Sequence, residues 1–207
     1  LSCHALQLDG EAGRLHVDEI DAFIGPRWLV TVRHDDHFPM DEVRQRWDRS
    51  AHLASNGVGY LLYGLLDRVV DGYFDLLERF DEYYDEVSEG LFADTPLEPA
   101  RQRHWFDMRR ALVQFHRLAV PLREAVSTLM RREHKAISAE MYPYFQDIYD
   151  HILRISESSD SDFSKWRCAT SRSSRPRGRN TLPTWPAFRS RTRAIASRSF
   201  SESSKPS

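Results

Sequence analysis

Apolar residues recur every three or four positions through the middle of the chain, which predicts long amphipathic helices. The steps alternate regularly between four and three, as in a coiled-coil heptad, so each helix should carry one continuous apolar seam. In a helix predicted over residues 57–89, the seam consists of Leu62, Leu66, Val69, Tyr73, Leu76, Phe80, Tyr83 and Val87. In a helix predicted over residues 99–134, it consists of Trp105, Met108, Leu112, Phe115, Ala119, Leu122, Val126 and Leu129.

Shorter helical patterns precede and follow this pair. Residues 41–47 form a short amphipathic segment, and a last helix is predicted over residues 138–157 with apolar Tyr142, Phe145, Tyr149, Ile152 and Ile155. Pro121 lacks a backbone N–H, so we expect it to kink the helix that contains it near residues 115–117. The two long helices are joined by a short loop and should therefore lie antiparallel.

The first forty residues instead show the alternation of β structure. Residues 15–24 have apolar side chains at near-alternate positions, residues 25–27 (GPR) form a turn signal, and residues 28–32 (WLVTV) have high β propensity. This pattern predicts an antiparallel hairpin, to which residues 1–8 are able to add a strand. The predicted fold class is α+β: a partial sheet, followed by long antiparallel helices.

Both the helical period and the β alternation stop after residue 157. Residues 158–207 contain 14 Ser and 11 Lys and Arg, too little apolar surface to offset the entropy lost on ordering, and a disordered Arg/Ser-rich tail is predicted. The tail has no recognisable nucleic-acid-binding module, so nucleic acid is not an expected partner. The abrupt onset of Arg, Ser and Pro resembles translation in a wrong reading frame, which explains the tail more simply than a nucleic-acid-binding function does. We therefore expect one domain over residues 1–157, with strands in 1–40 and helices in 41–92, 99–134 and 138–157.

Net charge divides the chain at the same point. The formal total of −2 combines 18 basic and 28 acidic residues in residues 1–157 with 11 basic and 3 acidic residues in residues 158–207.

Only Cys3 and Cys168 are available as thiols, which excludes a disulfide framework and favours a reducing compartment. With no signal peptide and no apolar stretch long enough to span a bilayer, the chain as given is expected to be soluble and cytoplasmic.

Two groups of side chains are candidates for chemistry. An acidic stripe follows the helix predicted over residues 57–89 and consists of Asp67, Asp71, Asp75, Glu78, Glu82, Asp85 and Glu89, with Asp81 and Glu86 beside it. The stripe attracts hydrated divalent cations or is a solvated face partly paired with Arg103, Arg109, Arg110 and Arg117. Residues 34–37 (HDDH) are the densest histidine group, and loop solvation explains them most simply. No hydrolase, NTPase or dinucleotide-binding motif occurs, so no enzyme and no catalytic residue is predicted.

Several segments of the domain resemble the CorA-type magnesium and cobalt transport proteins. Residues 60–67 (YLLYGLLD) and 69–74 (VVDGYF) resemble that family's long helix, and residues 28–34 (WLVTVRH) resemble its "LVTVRH" strand. Residues 121–124 (PLRE) resemble its "WPLRE" segment, and residues 144–151 (YFQDIYDH) resemble the "YFRDVYDH" segment that opens its stalk helix. The similarity covers about residues 1–157, in the same order along the chain.

The resemblance implies a regulatory site for a divalent cation. The aspartate of the family's "YFRD" segment contributes to a site between neighbouring subunits and corresponds to Asp147, while its partner carboxylate would lie upstream of residue 1. The implied cofactor is Mg²⁺ or Co²⁺, bound weakly, and the implied partner is the chain itself, because the family is homopentameric. The family's two transmembrane helices and Gly-Met-Asn signature have no counterpart here, so membrane attachment and ion conduction by this chain alone are not expected.

The sequence therefore predicts the truncated cytoplasmic regulatory portion of a CorA-like transporter of divalent cations. In the intact family, which is located in the cell membrane with this portion on the cytoplasmic side, cation binding between subunits gates the pore. The alternative is a coiled-coil interaction or scaffold protein built on the helical hairpin.

Overall fold

The computed structural model describes residues 1–92, 98–131 and 137–173, with side chains described as far as residue 88 in the first range and residue 168 in the last. The prediction of disorder for residues 174–207 lies outside the described residues. All described residues belong to one compact unit.

The chain begins with a three-stranded antiparallel sheet, in the order β1-β2-β3. The strands are β1 (Ser2–Asp9), β2 (Arg14–Ile24) and β3 (Leu29–Arg33). Leu6 lies opposite Val17 in the first pair, and Ile20 lies opposite Arg33 in the second. The predicted hairpin is therefore confirmed, and residues 2–9 supply the additional strand.

Within the described ranges, five α-helices follow the sheet. They are α1 (Met40–Arg49), α2 (Val58–Phe92), α3 (Pro99–Ala119), α4 (Pro121–Met130) and α5 (Tyr142–Ser173). Short 3-10 turns precede α2 at Ala51–Asn56 and α5 at Ala139–Met141. The α+β class is confirmed. Among the described residues, no helix combines the length and apolar character needed to cross a membrane.

The predicted seams form the core. Every seam residue of α2 except the partly buried Tyr83, and every seam residue of α3 and α4, is buried. Helix α2 lies antiparallel to α3, because Glu86 pairs with Arg101 near one end while Tyr73 packs on Phe115 farther along. The antiparallel prediction is thus confirmed. Fully burying one large apolar side chain contributes about 1.5–3 kcal/mol, so these seams are the main source of stability.

Pro121 divides the kinked helix predicted over residues 99–134 into two helices. Helix α3 ends at Ala119 and α4 begins at Pro121, so the interruption lies at Val120 rather than at residues 115–117. The N–H of Val120 still donates to the carbonyl of His116 at 3.2 Å, whereas Pro121 has no N–H to continue the series. The side chains of Leu122 and Val126 remain buried, so the apolar seam continues across the break.

The last helix is longer than predicted. Helix α5 continues past residue 157 to Ser173, so the prediction that order ends at residue 157 is wrong. Its seam keeps the heptad steps and is almost completely buried at Ile148, Ile152, Ile155, Ser159, Asp162 and Trp166. Both polar positions have a polar partner: Ser159 Oγ lies 3.0 Å from His116 Nδ1, and Lys165 Nζ donates to Asp162 Oδ1 at 2.9 Å, while Asp162 Oδ2 is buried without a partner among the described residues.

Trp166 anchors this extension to α2 and α3. Its ring stacks on Trp105 at a centroid distance of 4.1 Å and lies 6.0 Å from both Tyr83 and Tyr84. Only 1% of Trp166 is exposed. The sequence analysis placed this residue in a disordered tail, where its side chain would be solvated. The contact joins the end of α5 to the consecutive helices α2 and α3.

Trp166→Ala should lower the free energy of unfolding by about 3–5 kcal/mol, because it removes a large buried aromatic side chain and leaves a cavity. Urea denaturation of the full chain measures this change. Trp28→Ala is the matched control, since Trp28 is 52% exposed and its loss should cost much less. Equal effects of the two substitutions would contradict the packing of residues 158–168 in the domain.

Candidate cation-binding site

Asp147, the predicted metal ligand, lies on the first turns of α5. Its side chain is 60% exposed, and its Oδ1 atom lies 3.6 Å from Nε2 of His151, one turn farther along the helix. The neighbouring Phe145 and Ile148 are fully buried and fix the helix against the core. The carboxylate is thus held in place at its base and open to solvent at its oxygen atoms.

Helix α2 contributes two further carboxylates to the same region. Asp67 and Asp71 are one turn apart and both pair with the guanidinium of Arg46 on α1, which lies 2.8 Å from Asp71 Oδ2 and also contacts Asp67. The two helices run parallel here, since Tyr63 packs on Tyr144 and, farther along, Phe74 packs on His151. This alignment brings Asp67 and Asp71 towards Asp147.

The electrostatics confirm that these carboxylates act on one another. Burial raises the pKa of Asp67 to about 6, Arg46 opposes that rise, and the charges of Asp71 and Asp147 add to it. His151 acts in the same direction as Arg46. Three carboxylates therefore share one guanidinium and one imidazole, which leaves a surplus of negative charge beside the exposed Asp147.

The remainder of the acidic stripe is paired differently from the sequence-based interpretation. Glu86 pairs with Arg101 and Asp81 pairs with Lys165, at 3.4 Å and 2.9 Å. In the part of the chain that the structure describes, no ion pair joins the stripe to Arg103, Arg109, Arg110 or Arg117, so that detail of the prediction is wrong. The heptad pattern showed which face of α2 is solvated but not that Arg46 of α1, Arg101 of α3 and Lys165 of α5 supply its cations.

A second group of titratable side chains lies at the sheet. Asp35 and His37, from the loop after β3, meet Asp18 of β2, with the possible ligand atoms of all three within 4.8 Å of one another. His34 and Asp36 are exposed, so solvation explains these two residues as expected. Sequence analysis did not select Asp18, because a single acidic residue in a strand has no distinctive pattern.

The family model of the CorA-like Mg²⁺ transporter proteins matches residues 1–168 of the chain. The chain belongs to this family. The match extends beyond residue 157, in agreement with the longer α5, and it confirms the resemblance drawn from residues 28–34, 60–74, 121–124 and 144–151.

Curated relatives are similar over the same region. The chain is 29% identical over 148 residues to the "Putative metal ion transporter YfjQ" of Bacillus subtilis, covering 72% of this chain and 46% of that protein. It is 35% identical over 123 residues to the "Cobalt/magnesium transport protein CorA" of Thermotoga maritima, covering 58% of this chain and 34% of that protein. The chain thus spans less than half the length of these relatives, which are transporters rather than enzymes.

Solved structures show the same fold. The soluble domain of CorA from Methanocaldococcus jannaschii superposes with a TM-score of 0.64 at 19% identity, covering 83% of this chain and 67% of that one. The complete CorA magnesium transporter of the same organism superposes with a TM-score of 0.66 at 18% identity, covering 84% and 54%.

Asp67→Asn should flatten the pH dependence of stability between about pH 4 and pH 7. Because the pKa of Asp67 rises from 3.8 to about 6 on folding, the folded chain binds a proton in this range, and the free energy of unfolding falls as the pH rises. The two-unit difference corresponds to about 3 kcal/mol. Asparagine cannot ionise, so this contribution disappears.

Urea unfolding at a series of pH values, in the presence of EDTA, measures the slope. Asp75→Asn is the control, because it makes the same change at an exposed position two turns along α2 from Asp67. A wild-type slope in the Asp67→Asn variant would show that Asp67 does not ionise in a buried environment.

Proposed function

We propose that this chain is the cytoplasmic regulatory portion of a CorA-like transporter of divalent cations, in which Mg²⁺ or Co²⁺ bound at Asp147 links neighbouring subunits. The observation that carries the proposal is the environment of Asp147: an exposed carboxylate, rigidly placed at the start of α5, beside an excess of acidic groups. Conduction would require membrane-spanning segments other than the helices described.

The donor chemistry fits Mg²⁺. Mg²⁺ prefers oxygen ligands, keeps several water molecules, and commonly takes only one or two protein carboxylates. Asp147 offers one such carboxylate to the solvent, and a carboxylate of a second subunit would supply the other. Binding of this kind is weak, which suits a site that responds to changes in the cellular concentration of the ion.

The regulatory effect follows from charge. Asp67, Asp71 and Asp147 carry more negative charge than Arg46 and His151 neutralise, so acidic faces of adjacent subunits repel one another. A cation bound between subunits offsets this repulsion and stabilises their close association. When the cation leaves, the population shifts towards separated or rotated subunits, and the shift is as large as the difference in cation affinity between the two states.

Mg²⁺ should promote self-association of the full chain, and Asp147→Asn should weaken the response. At a Mg²⁺ concentration about tenfold above the dissociation constant, binding stabilises the wild-type complex by about 1.4 kcal/mol. Sedimentation velocity with and without Mg²⁺ reports the oligomeric state, and thermal unfolding under the same conditions reports the stabilisation.

Asp150→Asn provides the matched control for this experiment. It removes the same charge from the same helix, but its Oδ1 accepts a hydrogen bond from Gln146 at 2.9 Å instead of facing the acidic group. The proposal fails if Mg²⁺ changes neither oligomeric state nor stability, or if the two variants respond alike. Self-association that is independent of cations would instead favour the scaffold function considered from the sequence.

A further inference from the structure

The sheet places Asp18 and Asp35 side by side. Ile20 pairs with Arg33 at the end of β3, and the bend that follows over residues 34–36 brings Asp35 next to Asp18. Asp18 projects from the same face of β2 as the fully buried Ile20, because residues two apart along a strand share a face. The two carboxyl groups lie within hydrogen-bonding reach.

His37 completes the group from the same loop. Its Nδ1 atom lies 3.3 Å from Asp35 Oδ1 and 3.7 Å from Asp18 Oδ1. The loop is fixed around it, because Gln7 donates to the carbonyl of His37 at 3.3 Å and Arg33 donates to the carbonyl of Phe38 at 3.0 Å. Phe38 itself is buried, so His37 stands on an anchored segment of the loop.

Asp18 carries an unsatisfied ligand atom in this group. Only 4% of the residue is exposed, and its Oδ2 atom is buried with no hydrogen-bond partner among the described residues. A buried carboxylate oxygen without a partner costs about 1–3 kcal/mol or more, and a bound cation is one means of recovering that cost. The side chains of Asp35 and His37 are 37% and 71% exposed, which leaves an entry route from solvent.

We propose that Asp18, Asp35 and His37 bind a divalent first-row transition-metal cation, with water completing its coordination. Two carboxylates and one imidazole are the mixed oxygen and nitrogen donors that Co²⁺ and Zn²⁺ accept, whereas Mg²⁺ strongly favours oxygen alone. The site is therefore chemically distinct from the one at Asp147, and it does not depend on the function proposed above. A cation bound here would tie β2 to the loop that leads into α1.

A competing explanation is a purely structural contact, in which Asp18 and Asp35 share a proton and hold the loop to the sheet. Burial raises the pKa of Asp18, and the neighbouring Asp35 carboxylate adds to that rise, so such a contact is chemically sound. The two explanations differ in the effect of Asp18→Asn. The amide of asparagine replaces a protonated carboxyl as a hydrogen-bond donor to Asp35, but it is a far weaker metal ligand than a carboxylate.

Titration of the full chain with CoCl₂ tests the proposal, with visible absorption and calorimetry reporting Co²⁺ binding. Asp18→Asn and His37→Ala should each weaken Co²⁺ binding by about tenfold or more, since each removes a ligand. Zn²⁺ should displace the bound Co²⁺, and Mg²⁺ at the same concentration should not. Thermal unfolding without metal should give Asp18→Asn a stability close to that of the wild type.

The loop itself provides matched controls. Asp36→Asn and His34→Ala make the same chemical changes at exposed positions outside the group and should bind Co²⁺ as the wild type does. Asp147→Asn should also retain this binding, which separates the two sites experimentally. Wild-type Co²⁺ affinity in both Asp18→Asn and His37→Ala, or equal competition by Mg²⁺ and Zn²⁺, would overturn the proposal. Should Asp18→Asn not fold, the exposed His37→Ala decides alone.

Discussion

Burial of the α5 seam between α2 and α3 is the constraint on which the rest of the domain depends. Ile152 and Ile155 are fully buried, and Trp166 stacks on Trp105 of α3 while contacting Tyr83 of α2. A single helical hairpin would leave one side of each seam exposed to water. With α5 in place, α2 has apolar neighbours along its length and offers Tyr73 as a support for the sheet, through its hydrogen bond to the carbonyl of His4 at 2.6 Å.

Sequence periodicity predicted this core well where its seams are apolar and failed where they become polar. Ser159 and Asp162 occupy heptad positions, but a hydrophobicity pattern reads them as solvated. Ser159 depends on His116 of α3, which only the tertiary structure brings near, whereas Asp162 is paired with Lys165 three residues along the same helix, and Lys165 in turn bonds Asp81 of α2. Burial nevertheless raises the pKa of Asp162 to about 7, so the arrangement retains part of the desolvation cost. Spacing alone, followed without regard to residue type, would have extended the helix correctly.

The candidate cation site shows a similar limit. Resemblance to a family selected Asp147, and the acidic stripe selected Asp67 and Asp71, but neither indicated that the parallel packing of α2 and α5 brings them together. Arg46 lies on the short amphipathic helix α1, whose pattern gave no indication that its guanidinium pairs with α2. At the sheet, the β2–β3 pairing and the bend after β3 bring Asp35 next to Asp18, and that pairing becomes certain only when the strand register is known.

Arg46 also explains why Asp147 is the carboxylate best placed to bind an external cation. Its guanidinium already occupies the space between Asp67 and Asp71, so a divalent ion would have to displace a preorganised, permanently charged group to reach them. Among the described residues, the ion-pair partner of Asp147 is the imidazole of His151, at 3.6 Å, and a single imidazole at this distance competes less with a metal cation than a guanidinium that bridges two carboxylates. The guanidinium of Arg46 thus holds α1 on α2, whereas the carboxylate of Asp147 points outwards from α5 without a guanidinium to neutralise it. A surface of this kind binds small cations weakly by itself and more strongly when a second acidic surface approaches it.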